Sequence, residues 1–180
     1  MSAPHRLRQG VKALLAFRET PDLSLAASYL NMQQLALFRR MPHLEQVHAV
    51  EVLRSVLGYE LPADADDRAL DDLATAALLH DCGKSQHRVR VWQKTLPVLV
   101  KAASPDLFEK LSTGNPKNYL WRAFAVKAHH PAWGAQMAAH ANSRPRVLWL
   151  IEHHQDDMQQ FMDHPDYPLL LLLQMADDAN

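Results

Sequence analysis

Apolar residues recur along most of this chain at intervals of three and four and almost nowhere in strict alternation. That spacing predicts amphipathic helices and argues against strands. Leu23 to Arg40 reads as one helix. "RMPHLEQVHAVEVLRSVLG" gives another, with Pro42 in its first turn and Gly58 at its stop. After the loop "YELPADADD", Leu70, Leu73, Ala74, Ala77 and Leu78 mark the apolar stripe of a helix ending at His80. A basic turn, "GKSQHRVR", leads to a helix over Val91–Ala102 and to a shorter one opened by Ser104, Pro105 and Asp106. "STGNPKN" is a loop, broken by Gly114 and Pro116. The helix carrying Phe124 and Ala125 should end at His130, because Pro131 disfavours helical geometry for the residue before it, and a new helix should start at the proline. "SRPRVLWLIEHH" puts Val147, Leu150, Ile151 and His154 at i, i+3, i+4 and i+7, and a last helix from Pro168 puts Leu170, Leu173 and Asp177 on one row. The pattern predicts an all-α fold: a single-domain helical bundle of about seven or eight helices over residues 23–180. Residues 1–22 read as an N-terminal arm or short helix.

Composition narrows the function classes. A length of 180 residues suits one domain, and 48% hydrophobic with 22% charged residues describes a soluble globular chain. A formal charge of -1 leaves no extended nucleic-acid surface, so any phosphate recognition must be local. The longest apolar run, Leu169 to Leu173, is far short of the roughly 20 residues a membrane span needs. No apolar leader opens the chain, and Cys82 has no internal partner, which together predict a cytoplasmic protein without membrane contact.

The eleven histidines are the compositional oddity, and several fall where chemistry is expected. In "ALLHDCGKS", His80 and Asp81 lie at i+3 and i+4 from Ala77, on the stripe that should face the core. A bare carboxylate there costs several kcal/mol unless a positive partner meets it. His48, His80, Asp81, His130, His153, His154 and Asp177 all land on apolar faces or helix ends, and they come from at least four segments. Bundles build metal sites from such inward-facing side chains on facing helices. Imidazole and carboxylate without thiolate favour one or two divalent ions of Mn, Fe, Co, Ni or Zn, with Mg as a further candidate. The metal is then the missing partner, and the two oxygens of Asp81 allow it to bridge two ions. His43 is the reserve for His48, and Asp178 competes with Asp177.

The order of these elements resembles the HD-domain metal-dependent phosphohydrolase superfamily. Its signature is similar to His48 within "HAVEVL", His80-Asp81 within "LLHDCGKS" and Asp177 within "QMADD"; its two-metal members add elements that resemble "HHPAWGA", with His130, and "LIEHHQ", with His153 and His154. The resemblance implies hydrolysis of a phosphate monoester or diester by metal-activated water, with Asp81 and Lys84 catalytic and a small phosphorylated partner, a nucleotide in the first instance, as substrate. Lys84, Arg88 and Arg90 are the candidate substrate-binding residues. The departures are Gln155, where the cyclic-dinucleotide-cleaving relatives have an acidic residue, and Leu44, where some carry a third metal carboxylate. Two alternatives keep the same ligands: a di-iron oxygenase on this scaffold, and a non-catalytic nucleotide-binding metal protein.

Overall fold

The structure, a computed structural model, describes residues 19–87, 89, 91–119 and 121–180. Most of the N-terminal arm, and the candidates Arg88 and Arg90, lie outside the described residues. Among those residues the fold is all-α. Its helices are α1 (Leu23–Tyr29), α2 (Met32–Arg40), α3 (His43–Leu57), α4 (Ala69–Leu79), α5 (Val91–Ala103), α6 (Pro105–Ser112), α7 (Arg122–His140), α8 (Pro145–His153) and α9 (Tyr167–Ala179), with 3₁₀ turns at Cys82–Ser85 and Met158–Phe161. No helix among the described residues is long and apolar enough to cross a membrane.

The bundle is organised around α4. Every residue from Asp72 to Leu79 is buried, so this helix is surrounded rather than amphipathic over its last two turns. It packs against α1, α2, α3, α8 and α9. Leu70, expected on its inner stripe, is instead exposed near the helix start. Ala74, Ala76 and Ala77, all fully buried, keep the surface of α4 narrow enough for neighbours to close in from several sides. The charged end of α4 is clamped. Asp72, 2% exposed, accepts from Arg144 Nε at 2.5 Å and Arg146 Nη1 at 3.3 Å, and Arg146 also donates to Asp66 and Asp166. These pairs fix the starts of α4, α8 and α9 relative to one another. His80 and Asp81 stand at the opposite end of α4.

Two helix boundaries depart from the apolar pattern. The stretch expected to run unbroken from Leu23 to Arg40 stops at Tyr29, and α2 restarts behind a capping box. Asn31 Oδ1 accepts from the N–H groups of Gln33 and Gln34, and Gln34 Oε1 accepts from Asn31 N–H, each at 2.9 Å. That reciprocal cap outweighs the continuous periodicity. Conversely, α7 does not end at His130 but runs on through Pro131 to His140. An interior proline costs a helix about 3 kcal/mol. Burial of His130, Pro131, Gly134, Ala135 and Ala138 against α8 and the Cys82–Ser85 turn offsets that cost.

Gly83 is needed for closeness, not for an unusual dihedral, since no glycine has positive φ among the described residues. A Cβ built on it would overlap the His130 carbonyl oxygen and stand 2.7 Å from Gly134 N. The turn after Asp81 is thus pressed directly on the backbone of α7. Gly83→Ala should therefore destabilise the fold by about 2–3 kcal/mol, the upper part of the overpacking range, because the clash is with backbone that cannot rotate away. Thermal unfolding checks this; a variant with wild-type Tm would show that the turn is free to lift.

Candidate metal centre

The ends of α4 and α8 meet the middle of α7 at one point, and each supplies a histidine held in the same way. His80 Nδ1 lies 2.9 Å from the Ala77 carbonyl, His154 Nδ1 2.7 Å from the Ile151 carbonyl and His130 Nδ1 2.9 Å from the Val126 carbonyl. A carbonyl only accepts, so each bond puts a ring proton on Nδ1 and turns Nε2 to the cluster, as a lone pair wherever the ring is neutral. For His80 and His154 the carbonyls belong to the last turn of a helix, where they would otherwise lack an intrahelical donor. The three rings and Asp81 are at most 1–2% exposed.

All three Nε2 atoms face the Asp81 carboxylate. His80 Nε2 is 3.5 Å from Oδ2, while His130 and His154 Nε2 are 3.3 and 3.7 Å from Oδ1. His80 Nε2, His130 Nε2, His154 Nε2 and Asp81 Oδ1 are buried without a hydrogen-bond partner. Three imidazole nitrogens and a carboxylate oxygen turned to one buried point without hydrogen bonds form a donor set that fits a divalent metal. The negative ends of α4 and α8 point the same way and add to the preference.

Two donor groups share Asp81: His48, His80 and Asp81, and Asp81, His130 and His154, with the donor atoms of each within 4.8 Å of one another. Asp177 joins the first, with Oδ1 at 2.8 Å from His48 Nε2 and 3.6 Å from His80 Nε2. The cluster is closed behind by His130 and His154. It opens where His48 and Asp177 keep 26% and 25% of their side chains exposed.

The charges interlock. Burial pushes the Asp81 carboxyl up, but Lys84 and His80 outweigh it and hold it well below the ordinary carboxylate value. Burial pushes the His80 imidazole down, but Asp81 and Asp177 raise it to about 10. His154, buried beside the His80 charge, falls to about 4, and burial also lowers His130. Both are therefore neutral, as metal ligation requires. Lys84 Nζ lies 2.5 Å from Asp81 Oδ2 and 3.4 Å from Glu45 Oε2; these carboxylates overcome desolvation and keep the ammonium above its ordinary value.

Lys84 also lines a cleft of about 970 Å³. One wall is the α2–α3 corner, residues 39–45, and the other comes from Val98 of α5 and from Ala123, Val126 and Lys127 of α7. Ser85 and Val89 line it too, on either side of Arg88 in sequence.

Of the residues singled out by sequence, the structure brings together His48, His80, Asp81, Lys84, His130, His154 and Asp177. His153 is not brought to the cluster. Its Nδ1 lies 2.7 Å from Asp156 Oδ2, and its ring packs on Trp149 and Phe161. The reserve His43 is exposed, with Nε2 2.8 Å from the Glu19 carbonyl, and Asp178 is exposed as well. Glu45 and Lys127 went unread, although helical spacing marks both: each precedes a cluster histidine by three residues and so shares its face.

A family model described as HD domain matches residues 47–179, from just before His48 to just beyond Asp177. Searches of the curated proteins and of the solved structures gave no match. The matched span covers most of the chain and holds every member of the His/Asp cluster, so the chain belongs to the HD-domain family of metal-dependent phosphohydrolases.

Proposed function

We propose that this protein hydrolyses a phosphate monoester or diester of a small phosphorylated molecule, a nucleotide in the first instance, with water as nucleophile. The convergence of four buried, unpartnered atoms, His80 Nε2, Asp81 Oδ1, His130 Nε2 and His154 Nε2, beside the Lys84 ammonium carries this reading. His48, His80, Asp81 and Asp177 would hold one divalent ion, and Asp81, His130 and His154 a second, with Asp81 common to both. Such ions supply a Lewis acid that lowers the pKa of a bound water and neutralises charge on phosphoryl oxygens.

The protein's own groups do the rest. The carbonyl bonds to Nδ1 of His80, His130 and His154 fix ring orientation and tautomer in advance. Lys84, held between Asp81 and Glu45, presents a cation to the phosphoryl oxygens that gain charge in the transition state. Near the cluster the described side chains offer no nucleophile to compete with water. Cys82 is buried, its thiol pushed up to about 12 first by burial and then by Asp81, and its Sγ faces the Gly134 carbonyl. The Ser85 hydroxyl donates to the Cys82 carbonyl at 2.6 Å. Water therefore bonds to phosphorus, the ester P–O bond breaks, and the leaving oxygen takes up a proton.

Three variants test the reading. Asp81→Ala should lose most bound metal and at least about 10³-fold in phosphate release while keeping its helical circular dichroism, since a shared ligand goes and not a packing side chain. Full activity in a metal-depleted variant would overturn the mechanism. His130→Ala should take metal content from close to two ions per chain to about one, read by mass spectrometry of reconstituted protein. One ion in both proteins with equal activity would leave His130 a structural residue. Lys84→Ala should lower kcat by about 10² with metal content unchanged, whereas a change confined to KM would make it a binding contact alone.

A further inference from the structure

The cleft beside the cluster carries more positive charge than a single phosphoryl group calls for. Its charged lining is Arg39, Arg40, Lys84 and Lys127, against one carboxylate, Glu45. Lys84 is already shared between Asp81 and Glu45. Lys127 donates to Gln155 Oε1 at 2.8 Å, and a neutral amide cancels no charge. Arg39 and Arg40 are exposed, and among the described residues neither they nor Lys127 forms an ion pair. In a chain with an overall charge of -1, three cations without an ion pair among the described residues, Arg39, Arg40 and Lys127, thus line one cavity.

The cations fall into two groups. Lys127 lies one helical turn before His130 and is near Lys84: burial first, and then the Lys84 charge, hold its ammonium below the ordinary lysine value. Arg39 and Arg40 end α2 on the other wall, and apolar surface from Met41, Leu44, Val98 and Val126 lines the space between. A volume of about 970 Å³ suits a molecule larger than one phosphate ion. Guanidinium groups on the far wall suit the planar or tetrahedral oxygens of a carboxylate or phosphate. That wall, residues 39–45, also precedes the span matched by the family, which starts at residue 47.

We propose that the cleft takes a small molecule with two separate anionic groups, a phosphoryl group at the His/Asp cluster flanked by Lys84 and Lys127, and a second phosphate or carboxylate at Arg39 and Arg40. The assignment of the first group rests on the phosphohydrolase reading above; the second group is the new element.

Fructose 6-phosphate and fructose 1,6-bisphosphate share one body and differ by the second phosphoryl group, so they serve as matched probes. Calorimetric titration of the metal-loaded full chain at low ionic strength should give at least about ten-fold tighter binding of the bisphosphate. In Arg39→Gln/Arg40→Gln the ratio should fall to about one with metal content and fructose 6-phosphate affinity unchanged, while Lys127→Met should weaken both probes alike. Both arginines are exposed, and circular dichroism verifies that the double variant folds. Equal affinities in the wild type, no binding of either probe, or a ratio that survives the double variant would each overturn the second site. Phosphate release from a monoester and diester panel, measured on the same samples, separates the two readings. A binding ratio without any release defeats the hydrolase reading alone, and release with a ratio of one defeats the second anionic site alone.

Discussion

A carboxylate buried opposite three imidazole Nε2 atoms is the constraint on which the rest of this structure depends. Asp81 faces His80, His130 and His154 in surroundings where an uncompensated charge costs several kcal/mol. Lys84 answers one oxygen of the carboxylate, and the other has no hydrogen-bond partner. The bundle therefore gathers at its centre a donor set that could hold a cation. Metal affinity and fold stability are linked through it, because whatever occupies the cluster binds only the folded chain.

The surrounding architecture keeps that donor set from relaxing. A histidine on a free helix end could swing its ring away. Here each of the three Nδ1 groups is tied to a carbonyl of its own helix, three or four residues back, so the ring turns only if that bond breaks. The backbone after Asp81 cannot retreat either, since Gly83 lies against the main chain of α7 at His130 and Gly134, and Gly134 in turn packs against Ile151 of α8. At the far end of α4 the Asp72, Arg144 and Arg146 clamp sets the relation of α4 to α8. Both ends of the central helix are thus fixed, one by paired charges and the other by close contact.

How much of this could be read in the sequence follows from how local each determinant is. His80, Asp81 and Asp177 were legible because an ionisable residue on an apolar row needs a partner, and the row itself is short-range information. The choice between His153 and His154 was also present: only His154 continues the row of Val147, Leu150 and Ile151, and the ring of His153 turns instead to Asp156 and Trp149. Asn31 with Gln34 was a readable capping box that the apolar periodicity across it concealed. The continuity of α7 through Pro131 was not readable, because a local rule correctly penalises it and only the burial of that helix face outweighs the penalty. The cleft was least legible of all: Lys84 stands out beside the His-Asp pair, but Arg39, Glu45 and Lys127 come from other places in the chain and look like ordinary surface charges until folding gathers them.

Glu45 shows how the two parts of the site are joined. It belongs to the wall that precedes the family's matched span, yet its carboxylate reaches Lys84, which in turn holds Asp81. It lies one turn before His48 on α3, so the helix that contributes a cluster histidine also steadies the lysine on the other side of Asp81. The α2–α3 corner is thereby joined to the cluster by two routes, through Glu45 to Lys84 and along α3 to His48. The carboxylate that lines the cleft also holds the cation beside the buried site, so the outer wall and the cluster are joined through Lys84.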